Sequence, residues 1–425
     1  MNASKSSVRA GVEERSALAG LAPDQDLNGD RPSETDGGTV AISDVLFARV
    51  VWSRLIEPGD AVAGALIGAL GAPSALDMLA ATDAQQQLGR AMRESGVVLP
   101  PRTLSAAVAR WRPRLDRGAT LTDLDRALAA GLRLVAPESP LWPSALNDLG
   151  AHAPQLLWMR GDATVLAHPS LAVVGARACT GYGTSVTAEL ADAAGTAGLA
   201  IVSGAAYGID AVAHRAALAT GSATIAILAG GADRAYPAAH ASLLDRIADG
   251  GAVCSEMVPG AAPTRWRFLQ RNRSIAALAG ATLVTEAGTR SGSLNTAGHA
   301  AELGRSLGAV PGPVTSATSA GCHRLIREYG ATLVSNAHEL REFLGLGDAA
   351  SELLSALAGR QSAVHRRVLD ALPLRGSRSA EDVALAAGLT VEEVRGVIAE
   401  LEMLECVARA EDAPGGQRWR LLRRE

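Results

Sequence analysis

Between residues 171 and 284, four short apolar runs each lead into a glycine-rich turn. They are Leu171-Ala172-Val173-Val174, Ala200-Ile201-Val202, Ala223-Thr224-Ile225-Ala226-Ile227-Leu228 and Ala281-Thr282-Leu283-Val284. Segments this short have strand length, and because they are apolar nearly throughout, strands made from them must be covered on both faces. Most of the turns precede a helix-like segment. Buried strands alternating with helices predict an α/β fold with a Rossmann-like, doubly wound parallel sheet as its core. Val310 and Leu333-Val334 would add strands. Apolar residues make up 48% of the chain but aromatic ones only 3%, and there are 45 glycines, so this core has to be built from Ala, Val and Leu at close range.

At 425 residues the chain is too long for one core, given roughly 100–200 residues per domain. Residues 1–41 are polar, with runs such as Asp24 to Asp30 and Ser33 to Gly38, and read as a disordered tail that cannot bury enough surface to offset ordering entropy. Across 42–130, apolar residues recur at helical spacing and are cut at Pro58-Gly59, Gly71-Ala72 and Pro100-Pro101, which predicts a small N-terminal helical domain of the SAM or helix-hairpin-helix kind. Within it, Leu66 to Gly71 fits either a glycine-rich turn gripping a phosphate or a helix end followed by a turn. The extended Rossmann-like domain takes 131–345, and 346–360 reads as a linker. In 361–425, helical patterns at His365–Leu372, Ser379–Ala387 and Thr390–Leu404 precede two strand-like segments around Pro414-Gly415-Gly416, which predicts a C-terminal winged-helix domain. Thr390 and Glu393 have the spacing of a capping box.

Cys179, Cys254, Cys322 and Cys406 are scattered without a C-x-x-C or Cys/His cluster, which argues against a disulfide framework and against a bound metal. The longest apolar stretch, near Ala61 to Ala72, is too short to span a bilayer, and the first residues lack an apolar signal core. A cytoplasmic protein without membrane contact is expected. Net charge is only −4, so contact with nucleic acid requires a local basic patch.

The first turn, Gly175-Ala176-Arg177-Ala178-Cys179-Thr180-Gly181-Tyr182-Gly183, is not the G-x-G-x-x-G dinucleotide fingerprint, and no acidic residue follows at the ribose position, which disfavours NAD. A helix start beside Arg177 still suits a single phosphate. The second turn offers Ser203, Gly204, Tyr207 and Gly208, with Asp210 and His214 spaced to pair across a helical turn in a structural role. Gly230 and Gly231 open the third turn as a further wall of the same groove. The densest cationic segment is Thr264-Arg265-Trp266-Arg267-Phe268-Leu269-Gln270-Arg271-Asn272-Arg273, where rings stand among four arginines. Cations for phosphates and rings for bases are what a single strand needs, although the arginines could instead pair with Glu256 and Glu286. A fourth turn carries Glu286, then Ser291, Gly292 and Ser293 at a helix start that can hold phosphate without charge. Glu286 could also be the base of a nucleotide-processing, phosphoribohydrolase-like enzyme, and a vestigial scaffold is a third possibility.

Taken in order, Gly-Ala-Arg at 175 to 177, Tyr-Gly at 182, Ser-Gly at 203, Gly-Ile-Asp at 208, Tyr-Pro at 236, Arg-Asn-Arg at 271, Ser-Gly-Ser-Leu at 291 and Val-Pro-Gly at 310 resemble the DNA-processing protein A family, also called Smf. The resemblance runs from about Leu132 to Leu340. It implies a non-enzymatic protein without cofactor that binds single-stranded DNA, dimerises, and helps load RecA recombinase on strands held by single-strand binding protein during natural transformation and recombination. It also implies that Arg177 and the glycine-rich loops hold DNA phosphates. Ala176 stands where serine is frequent in the family, and Ala238 where some members have lysine, so the pocket is expected to be less basic. The third C-terminal helix carries Glu392, Glu393, Glu400 and Glu402 against Arg395 alone. Such a helix would repel phosphates in a major groove, so a protein-contact or packing role is expected there.

Overall fold

The computed structural model describes residues 9–22, 42–346, 363–373, 376–403, 406–410 and 417–422. The chain divides into two compact units, residues 1–346 and 347–425.

The first unit begins with seven helices: α1 (Val12–Leu21), α2 (Ile42–Leu55), α3 (Ala61–Leu70), α4 (Ala72–Ala80), α5 (Ala84–Glu94), α6 (Pro101–Trp111) and α7 (Arg117–Ala129). Trp52 and Trp111 meet edge to face at 5.3 Å in their core, and the Trp52 indole donates to the Ala72 carbonyl at 3.0 Å. Trp158, from the sheet that follows, is fully buried in the same cluster. One expectation is corrected here, and one pair of alternatives is decided. Val12–Leu21, inside the segment expected to be disordered, is helical because Leu18 and Leu21 bury completely in the helical core, an apolar pair too sparse to register as a pattern. Leu66 to Leu70 is the end of α3, and the Gly71 amide bonds back to the Ile67 carbonyl, so this stretch is a helix end rather than a phosphate-gripping turn.

The sheet has nine strands in the order β1-β2-β6-β5-β4-β3-β7-β8-β9. They are β1 (Arg133–Val135), β2 (Leu157–Gly161), β3 (Ser170–Gly175), β4 (Ala200–Ser203), β5 (Thr224–Leu228), β6 (Ala252–Ser255), β7 (Ala281–Glu286), β8 (Ser306–Ala309) and β9 (Thr332–Leu333). From β6 to β9 all pairings are parallel, while β1 and β2 run antiparallel at one edge. The four apolar runs are β3, β4, β5 and β7. Their residues divide by alternation. Ala172 and Val174 pack in a cluster with Ile275 and Ala297, whereas Leu171 and Val173 pack with Leu190, Ile209 and Ala213. Both faces are thus covered, by α8 (Gly181–Thr196) and α9 (Ile209–Ala219) on one side and by α11 (Arg265–Leu278), α12 (Ser293–Glu302) and α13 (Ala320–Glu328) on the other. α10 (Ala241–Gly250) and α14 (Ala337–Phe343) complete the unit. The strand order reverses at the β3–β7 pair, and it is outside the carboxyl ends of strands at such a reversal that open α/β sheets bind ligands.

The second unit contains α15 (Ala363–Ala371), α16 (Ala380–Ala387), α17 (Val391–Met403) and a three-stranded antiparallel sheet in which β12 (Arg418–Leu421) lies between β10 (Arg378–Ser379) and β11 (Val407–Arg409). The capping box forms: Thr390 donates from its amide and hydroxyl to Glu393 Oε2 at 2.8 Å, and the Glu393 amide donates back to Thr390 Oγ1 at 3.3 Å. The expected linker, apart from Leu346 itself (numbered 346 in the first unit), and the Pro414-Gly415-Gly416 turn lie outside the described residues.

Candidate nucleic-acid interface

At the carboxyl ends of the parallel strands, α11 crosses the sheet and the loops after β3, β4, β5 and β7 converge on its first turns. Thr264 starts this helix by accepting the Arg267 amide at 3.2 Å. A cavity of about 500 Å³ opens there, lined by Val174 at the end of β3, Arg177 from the first turn, Ala206 and Asp210 from the second, Tyr236 from the third, Arg265, Phe268, Leu269, Arg271 and Asn272 from α11, and Gly292, Ser293 and Thr296 at the start of α12.

Phe268 is the centre of it. Its ring lies 4.9 Å from the Arg177 guanidinium carbon, 5.8 Å from that of Arg271 and 5.6 Å from the Tyr236 ring. Two cations and two rings are thereby gathered at one opening, although they come from positions up to 94 residues apart in sequence. Arg177 is exposed, and Tyr236 and Tyr207 are half exposed. Arg271 is buried at 5% exposure: its Nη1 donates to the Gly204 carbonyl at 2.8 Å and to the Ile227 carbonyl, and its Nε to Asn272 Oδ1 at 3.3 Å. Burial pushes the Arg271 guanidinium down to about 10, opposed by the charge of Asp210. Burial likewise raises the Asp210 carboxyl, opposed by Arg271 and by the amides of Gly204 and Ala206, which donate to Oδ2 at 3.2 and 3.3 Å. The floor of the cavity is therefore a buried, oppositely charged couple, and its rim is an exposed cation with aromatic rings.

Not every candidate residue reaches this cavity. Arg273 is 3% exposed and forms a bidentate pair with Glu256 at 2.6 and 2.7 Å, so it belongs to the interior of the protein. Arg267 is held by Glu57 of the helical region at 2.7 and 2.9 Å. The internal-pairing alternative is correct for these two arginines, with Glu57 in the place of Glu286 for Arg267. Ser203 is fully buried and donates to the Val173 carbonyl at 2.6 Å, and Gly204 is buried beneath Arg271, whose guanidinium a β-carbon would overlap. Gly230 and Gly231 are buried against the segment from Val258 to Pro263, to which the Gly231 amide donates at Ala261 O, and form no wall of the groove. Gly175 ends β3 under Ile209, and Gly208, at φ 78°, lets the second loop pass the carbonyls of Ala176 and Arg177. Gly181, Tyr182, Gly183 and Ser291 stand outside the cavity lining. Tyr182 donates to the Pro311 carbonyl at 2.5 Å, and Ser291 Oγ lies 2.7 Å from Ser293 Oγ. His214 does not meet Asp210 but lies 2.7 Å from Thr224 Oγ1 in the core.

Glu286 is also accounted for. Its Oε2 accepts the Thr180 amide at 2.8 Å and its Oε1 the Thr180 hydroxyl at 2.9 Å, and it is 2% exposed. A β-carbon on Gly183 would overlap this carboxylate, so the first turn needs glycine at that position for close approach. Among the described residues no group of three or more His, Cys, Asp and Glu side chains could hold a metal ion, and no single helix is long and apolar enough to cross a membrane. Sequence reasoning does not select Tyr236, Asp210, Leu269 or Thr296. Tyr236 and Asp210 do stand in the Tyr-Pro and Gly-Ile-Asp motifs after strand ends, a signal that marks their loops without telling which side chains reach the cavity.

The family model for DNA recombination-mediator protein A matches residues 133–345. A DNA processing protein DprA of Mycobacterium tuberculosis is 41% identical over 386 residues, covering 87% of this chain and 93% of the relative. The DNA processing protein DprA of Streptococcus pneumoniae is 44% identical over 192 residues, covering 45% of this chain and 67% of the relative. The X-ray structure of DNA processing protein A from Streptococcus pneumoniae superposes with a TM-score of 0.56 at 31% identity, covering 70% of this chain and 96% of that one.

Proposed function

Because this chain belongs to the DNA recombination-mediator protein A family, we propose that it binds single-stranded DNA in the cavity around Phe268, with Arg177 on the strand's phosphates and Phe268 and Tyr236 against its bases. The observation that carries this reading is the aromatic ring set between two guanidiniums at the strand ends. Rings serve any base and the cations serve the backbone, so the site suits a strand of any sequence. Arg265 and Asn272, with Gly292 and Ser293 at the start of α12, are read as further contacts, since they line the same cavity.

We read the protein as a binder rather than a catalyst, and the commitment of both Glu286 oxygens to Thr180 supports this against a phosphoribohydrolase. Loading of RecA recombinase, homodimerisation, exchange with single-strand binding protein and a cytoplasmic setting extend the proposal on the strength of the family resemblance. Residues 42–130 are taken as a helical domain and 131–345 as the DNA-binding domain, because α7 ends at Ala129 and β1 begins at Arg133. The three helices and three strands of 361–425 support reading that part as a winged helix.

The test is fluorescence anisotropy of labelled oligothymidine and of its duplex across a salt series. The wild type is expected to prefer the single strand, Arg177→Ala to flatten the salt slope by about 0.7, and Phe268→Ala to weaken binding by roughly 5- to 100-fold, as for loss of one stacked base. Equal affinity for duplex, or binding indifferent to both substitutions, would overturn the proposal.

A further inference from the structure

Trp266 is the aromatic side chain of the basic segment that lies outside the cavity, and it is 56% exposed, the largest exposed aromatic surface on the described chain. It stands over a second cleft of about 320 Å³ formed by the helical region, whose lining includes Glu57, Asp60, Arg110, Trp111 and Arg114. The two openings are joined around α11. At about 100° of rotation per residue, Phe268, Arg265, Leu269 and Trp266 succeed one another around the helix within about 160°, while Arg267 points the opposite way. Arg267 does turn inward to Glu57, and Arg265 and Leu269 on the connecting arc are exposed.

The charges along this path favour an anion. Glu57 and Asp60 are both engaged: Glu57 with Arg267 and Arg114, Asp60 with Arg110 at 3.3 Å and with the Trp111 indole at 3.1 Å. The cleft lining sets Arg110 and Arg114 against Glu57 and Asp60, Arg267 of α11 pairs with Glu57 as a third cation, and Arg265 on the arc has no ion pair among the described residues. Arg110 and Arg114 keep 58% and 46% of their side chains exposed.

We propose that the helical region supplies a second single-strand subsite, in which a strand leaving the Phe268 cavity crosses Arg265 and Leu269, stacks a base on Trp266, and sets its next phosphates against Arg110 and Arg114. The inference rests on the reading of the Phe268 cavity given above. It assigns the N-terminal helices a direct share in DNA binding and makes affinity depend on strand length.

The experiment measures binding of oligothymidines from about 4 to about 16 nucleotides, the range of single-strand site sizes, to the full-length wild type and to the variants Trp266→Ala, Trp266→Phe and Arg110→Ala. Tryptophan emission is followed in parallel. Trp266→Ala should weaken the long oligomers by roughly 5- to 100-fold and leave the shortest unchanged, with Trp266→Phe restoring most of the loss. Arg110→Ala should lower the salt slope of the long oligomers alone by about 0.7. Emission quenching by long oligomers should vanish in Trp266→Phe. Long and short oligomers weakened alike, or long oligomers bound as by the wild type, would overturn the second subsite while leaving the first intact. Failure of the wild type to bind an oligomer of any length would overturn the cavity reading and this one together.

Discussion

Arg273 separates the two roles an arginine of the basic segment could have. Its guanidinium and the Glu256 carboxylate are 3% and 9% exposed, and the pair is completed by bonds from Arg273 Nε to the His152 carbonyl at 2.9 Å and from Ser274 Oγ to Glu256 at 2.7 Å. Arg273→Ala leaves Glu256 buried with one hydroxyl as its remaining donor, and an uncompensated charge of this kind costs about 3–5 kcal/mol. Spread over the 346-residue first unit, with an unfolding entropy of about 2.1 cal/mol/K per residue, this lowers the midpoint by roughly 4–7 °C. Binding of oligothymidine well below the transition, and its salt slope, should stay at wild-type values because Arg273 lies outside the cavity. Adding Glu256→Gln should recover part of the stability, since the stranded charge is removed with its partner gone. Scanning calorimetry and anisotropy on the same samples decide it. A variant that melts as the wild type does but binds weakly would refute this assignment and return Arg273 to the DNA.

Two other expectations concern parts away from the cavity. Burial, reinforced by the charges of Arg271 and His240, pushes His214 down to about 3 from its ordinary 6.5. Between these values the unfolded chain takes a proton that the folded one refuses, so stability present above about pH 6.5 is lost as the pH falls toward about 3. Midpoints measured across that window should fall less steeply for His214→Gln, and parallel slopes would refute the claim. In the second unit, Thr390→Ala removes the hydroxyl half of the capping box, and amide exchange in the first turn of α17 should quicken about fivefold relative to the last turn of α16. Uniform exchange across both helices would show that the cap does not hold this end.

The sheet was legible because its strands are buried on both faces, so the four central runs read as unbroken apolar segments. β1, β2 and β6 were not legible. Arg133 and Arg160 interrupt the first two, which lie at or near the antiparallel edge, and β6 is only Ala252-Val253-Cys254-Ser255 between glycines and a glutamate. At the site, the motif residues mark the right loops, but composition does not distinguish which side of a helix an arginine takes. Arg265 and Arg267 are two residues apart, and one is exposed while the other is clamped by Glu57, a partner 210 residues away that no local pattern reveals. The glycines split for the same reason: Gly204 and Gly183 are small to admit Arg271 and Glu286, not to admit a phosphate.

Thr180, Gly183 and Glu286 stand as one interlocked set across 106 positions of sequence. Enlarging Gly183 displaces the carboxylate, removing the carboxylate strips Thr180 of two acceptors, and losing the Thr180 hydroxyl leaves Glu286 Oε1 and the Gly183 amide without that partner. Substitutions here must therefore be strongly epistatic, each harmful in the presence of the other two and less so once a neighbour has already changed. In descendants of this chain these three positions have to be inherited, or replaced, together.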